Sequence, residues 1–205
     1  MTYTLFGTKT FTEEAIHTLS FTSELEEGID GSSTKMTHLQ GVDGSPVLLQ
    51  TPTLNMQLTT DGKAFLSEVE GSTEFSDALR AWDQFNVATT LSMCEQWFKR
   101  PIDAEVIDKR YRPLVTSGDV EVCMTGREQV YDSLNTPMDP IAPGEHWVEL
   151  VMHLKGIEFH PRVMQPKVQV LQVRVVPAPE PVVAPEPIKP TRDVILTEPL
   201  FTQHN

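Results

Sequence analysis

The chain has 205 residues, of which 39% are hydrophobic, and a formal net charge of -13. That length supports one sizeable core and not two full domains, and two cysteines, Cys94 and Cys123, are too few for a disulfide framework. Bulk acidity argues against non-specific attraction to nucleic acid or anionic lipid. The first residues lack a signal-peptide pattern, and no apolar run approaches the roughly 20 residues needed to cross a bilayer. The expectation is therefore a soluble intracellular protein with no membrane partner.

Taken in order, the chain opens with two short runs of Thr and aromatic residues, Tyr3 to Phe6 and His17 to Ser23, the second with Leu19 and Phe21 on one strand face, and one helical turn at Glu13 to Ile16 between them. Glu26 to Ser45 reads as loop, interrupted by a short strand at Met36 to Leu39. Pro46 to Pro52 is a compact apolar strand that continues into Leu54, Met56 and Leu58, alternating with polar residues as a half-buried strand does. Asp61-Gly62 predicts a tight hairpin leading into Ala64 to Val69.

Gly71-Ser72-Thr73-Glu74 supplies a capping hydroxyl and a first-turn acid for the longest helix, which ends before Pro101. Its apolar stripe runs through Phe75, Ala78, Leu79, Trp82, Phe85, Thr89, Met93 and Trp97. A shorter helix follows over Ile102 to Arg110, with Glu105 placed to pair with Lys109 and Asp108 with Arg112. Val120, Val122 and Met124 begin the next strand. Asn135 to Gly144 is a proline-rich exposed connection, Val148 to Leu154 a clean strand ending at Gly156, and Val168 to Val176 a last core strand. The apolar parity of that last strand shifts between Val170 and Leu171, which predicts a bulge or a strand buried on both faces.

The domain so defined covers residues 1–176. Residues 177–205 form a second unit, a Pro-rich tether suited to polyproline II with an apolar tip, Ile195, Leu196, Leu200 and Phe201, that reads as a docking motif for a protein partner.

Chemistry for catalysis is missing. There is no Gly-x-Ser-x-Gly motif, Cys94 sits on a helix flank that suits burial, and the six histidines include no metal-binding spacing. The reading is a non-enzyme without cofactor or metal.

What stands out is charge. From Trp97 to Leu114 five bases face three acids, in a chain whose first 80 residues hold 12 acids and 4 bases. Cationic grooves that track phosphate, together with aromatic faces that stack on bases, are how single-stranded nucleic acid is held. On that chemistry Lys99, Arg100, Lys109, Arg110, Arg112 and Arg174 are candidate phosphate contacts and Trp97 and Tyr111 candidate stacking platforms. Lys155, Arg162 and Lys167 are a weaker extension of the stripe.

Pro46 to Pro52, the helix leading to Trp97-Phe98, Tyr111 to Val115, Leu154 to Phe159 and Val168 to Arg174 together resemble a family of uncharacterised proteins of nucleocytoplasmic large DNA viruses. That family has been likened to small OB-fold single-stranded-DNA-binding proteins of phages. The resemblance implies a mostly β (α+β) fold, an OB-like barrel or sandwich with one long helix and an extended Pro-rich tail. It also implies single-stranded DNA binding at viral replication sites in host cytoplasm or nucleus. Two departures stand out: the barrel region is acidic, and the tail is Pro-rich, not strongly acidic. The alternative is a virion structural protein, a minor capsid or cementing component whose tail is an arm onto other viral proteins; either form allows a homo-oligomer.

Overall fold

The computed structural model describes residues 2–27, 34–116 and 118–179; the expected docking tip, Ile195 to Phe201, lies outside them. In chain order the elements are β1 (Thr4–Gly7), α1 (Glu13–His17), β2 (Ser20–Phe21), β3 (Glu26–Glu27), β4 (Lys35–Gln40), β5 (Val47–Gln50), β6 (Leu54–Leu58) and β7 (Lys63–Glu68). They continue with α2 (Glu74–Phe98), α3 (Ala104–Arg110), β8 (Val115–Thr116), β9 (Asp119–Cys123), β10 (Gln129–Tyr131), β11 (Gly144–Phe159) and β12 (Met164–Val175).

β11 is the spine. One of its edges pairs antiparallel with β12 along most of its length, and the other takes β6, β5 and β4 in turn. From β6 the sheet continues through the β6–β7 hairpin to β9 and β8. Alternate residues of these strands, from Leu54 and Met56 through Ala64, Val120 and Val148 to Val173, are buried in one apolar cluster. The sheet curls around this cluster, and β9 accordingly comes beside β12. The mostly β, α+β architecture with one long helix is as expected, and of the two expected forms it is the barrel-like one.

Three local expectations hold. The β6–β7 turn closes with Thr59 N donating to Lys63 O at 2.8 Å, and Gly62 has φ 83 there. The bulge lies where parity shifts: Val151 faces Gln172 and Met152 faces Val170, so Leu171 is the extra residue. Lys99, in the left-handed region, ends α2 before Pro101.

Three others are corrected. Gly156 does not end a strand; β11 continues to Phe159, and a Cβ on Gly156 would lie 2.0 Å from Thr37 O. The glycine is there so that β4 can approach, not to break the strand. Thr73 does not cap α2 with its side chain. The Glu68 carboxylate, at the end of β7, accepts instead from Phe75 N at 2.7 Å and Ser76 N at 3.2 Å, a position the positive helix end favours. Finally, the buried line of α2 beyond Trp82 does not follow Phe85, Thr89 and Met93, which are half-buried. It follows Asp83, Asn86, Thr90, Cys94 and Trp97.

Candidate nucleic-acid interface

The β11–β12 hairpin carries its turn residues, His160 to Val163, to one end of the molecule, and three chain segments meet there. The end of α2 arrives through aromatic packing: Trp97 and Phe98 set their rings 5.8 and 5.1 Å from Phe159. α3 arrives through Ile107, buried with Ile157, Phe159 and Met164. The extended segment after α3 is stitched to the base of the hairpin by Arg112 N, which donates to Met164 O at 2.8 Å.

This packing aims apolar side chains inward and leaves the cations outside. Arg112 and Arg162 line a groove of about 450 Å³ whose remaining walls are His160, Pro161, Val163 and Gln165. Arg110 reaches across the same turn, its Nη1 donating to Pro161 O at 3.4 Å. Lys99 and Arg100 follow directly on Phe98 and are exposed. Among the described residues, Lys99, Arg100, Arg110, Arg112 and Arg162 take part in none of the ion pairs. Of the nearby acids, Glu105 pairs with Lys109 at 3.6 Å and Glu158 with His160 and Lys167, whereas Asp103 and Asp108 are exposed and take part in none of the ion pairs among the described residues. The unpaired bases there outnumber these two acids, so the local surface is cationic on an acidic chain.

A buried polar network fixes one wall of the groove. Asp83 on α2, 6% exposed, accepts a 2.6 Å hydrogen bond from the Tyr111 hydroxyl and another of 3.0 Å from Leu114 N. Asn86 donates through Nδ2 to the same hydroxyl at 3.1 Å. Burial pushes the Asp83 carboxyl up to about 6, with the bonds from Tyr111 and Leu114 opposing the rise. Burial, and then the Asp83 charge, push the Tyr111 phenol far above its ordinary range, so it remains a donor. With Tyr111 turned inward on extended backbone, the adjacent Arg112 is exposed, as is Arg110 at the end of α3.

The predicted site residues separate accordingly. Arg110 and Arg112 meet at the hairpin turn, Lys99 and Arg100 follow Phe98, which packs on Phe159, and Lys109 pairs with Glu105 on α3. Trp97 is not a stacking face: it is 6% exposed, its Nε1 donates to Thr22 O at 3.1 Å, and it is wedged between Phe21 and Phe159. Tyr111 is likewise committed to Asp83. Arg174 lies ten residues along β12 from Met164, about 30 Å away at strand rise, where it pairs with Glu149 and donates to Asn135 Oδ1. The expected Asp108–Arg112 pair does not form, because α3 stops at Arg110 and Tyr111 is extended (φ -71, ψ 130), which removes the one-turn geometry. Lys109 does find Glu105. Asp83 and Asn86 went unread, although Asp83, Asn86, Thr90, Cys94 and Trp97 recur at three- and four-residue steps; polar residues at core spacing were the available signal.

Residues 56–187 match the model of DUF5871, a family of unknown function. The chain belongs to that family. No curated protein matches the sequence significantly. Among solved structures, the fold is similar to a C-terminally truncated single-stranded DNA-binding protein from bacteriophage Enc34. The likeness has a TM-score of 0.43 and 9% sequence identity, and covers 77% of this chain and 97% of that one.

Proposed function

We propose that this DUF5871 member is a non-enzymatic single-stranded-DNA-binding protein of a large DNA virus, acting where viral DNA is replicated in host cytoplasm or nucleus. The viral setting is supported by the segments from Pro46 to Arg174 that resemble a large-DNA-virus family. The observation that carries the binding is the groove: Arg112 and Arg162 on its walls, Arg110 across its turn, and, among the described residues, no carboxylate paired with any of them. On a chain of net charge -13, a cluster of unpaired arginines gives a phosphate backbone a place to settle.

Because Trp97 and Tyr111 face inward, the contact is to backbone, not to stacked bases. Affinity is then salt-dependent and nearly indifferent to base composition. Three phosphate contacts correspond to a slope of log affinity against log salt of about -2 for a single strand. Fluorescence anisotropy of a dye-labelled oligo(dT), titrated across ionic strength and repeated with an oligo(dA), measures both properties. Absence of salt-sensitive affinity at low ionic strength rejects the proposal.

A further inference from the structure

We infer that Lys99 is a phosphate contact for which the fold gives up stability, so that the phosphate track continues from the hairpin groove to the end of α2. The inference rests on the single-strand-binding reading above and extends it by one named contact. Lys99 has φ 58 and ψ 25 in the position after α2, where the left-handed region strongly favours glycine. Among the described residues the other non-glycine with positive φ is Asn135. Asparagine tolerates that region, and the Asn135 side chain is held by Arg174.

Lysine has neither excuse. Its side chain is exposed, and among the described residues it makes no ion pair or hydrogen bond that would repay the strained backbone. The attraction of a helix C-terminus for a cation is weaker than the cost of left-handed backbone for a residue with a Cβ. What the position does provide is placement: Phe98, the preceding residue, packs its ring on Phe159, and His160 of the groove comes next. The ammonium therefore stands at the same end of the molecule as Arg110, Arg112 and Arg162.

Lys99→Gly and Lys99→Arg test this with two readouts, the urea midpoint of the folded protein and oligo(dT) affinity at low salt. Lys99→Gly is expected to raise the midpoint while weakening oligo(dT) binding about threefold or more. Lys99→Arg keeps both the strain and the charge and is expected to leave both readouts near wild type. A lowered midpoint in Lys99→Gly would show that the lysine serves the helix, and unchanged affinity would show that it touches no phosphate; either overturns the inference while the groove reading stands. A wild-type protein with no salt-sensitive affinity removes both together.

Discussion

Tyr111→Phe separates the two roles this residue has by chemistry, stacking platform or internal tether. The substitution keeps the ring and removes one hydroxyl, which donates to Asp83 at 2.6 Å and accepts from Asn86 at 3.1 Å. A hydrogen bond to a buried charged group contributes about 1.5 to 3 kcal/mol, and leaving the Asn86 amide without its acceptor adds about 1 kcal/mol, so a loss near 3 kcal/mol is expected when Asp83 is ionised. Asp83 titrates near 6 in the fold against an ordinary 3.8. Its folded pKa is raised, so the stability associated with it is present at low pH and is lost as pH climbs from below 4 through about 6, up to about 3 kcal/mol in all. Removing the phenol, which favours the ionised form, raises that pKa further. Urea denaturation of Tyr111→Phe should therefore show the larger deficit at pH 8 and a deficit of about half that size or less at pH 5. Oligo(dT) affinity of the folded variant should stay within about twofold of wild type. A deficit below about 0.5 kcal/mol at pH 8, or one larger at pH 5, refutes the tether.

Replacing Arg112 and Arg162 together with Ala should reduce the steepness of the salt dependence by about 1.4, at 0.7 per phosphate. The same pair should leave stability within about 0.5 kcal/mol, whereas Arg174→Ala should leave the salt slope as in wild type. Gly156→Ala places a Cβ against Thr37 O at a φ of 136, and should cost more than about 3 kcal/mol in urea denaturation; a loss under about 1 kcal/mol would contradict the close approach of β4 to β11. Glu68→Ala removes the acceptor for two N–H groups of α2 and should lower stability by about 1 to 2 kcal/mol with an unchanged m-value.

How much of this was legible in the sequence varies with the kind of information each residue carries. Period-two alternation located β6, β7, β9 and the core strands, and the parity slip at Val170 and Leu171 located the bulge, because burial on one face of a sheet forces that pattern. Gly156 misled because a glycine allowing close approach and one ending a strand look alike in one dimension. The cap of α2 misled because Glu68 lies six residues before the helix, and only the turn after β7 brings its carboxylate to Phe75 N. At the site, local sequence grouped the bases from Lys99 to Arg112 but could not say that Trp97 closes a core with Phe21 and Phe159, residues far away along the chain. Arg174 was joined to the cluster by charge type alone; strand direction puts it at the far end of β12. Arg162 gained its place from the hairpin, which no spacing rule encodes.

The most direct test of where nucleic acid binds is photo-crosslinking of the full chain to a 4-thiothymidine oligonucleotide, followed by mass-spectrometric mapping of the attached peptides. Crosslinks concentrated in residues 97–112 and 159–167 are the predicted result. Crosslinks confined to the Gly144 end of β11, around Tyr131, Glu149 and Arg174, would contradict it.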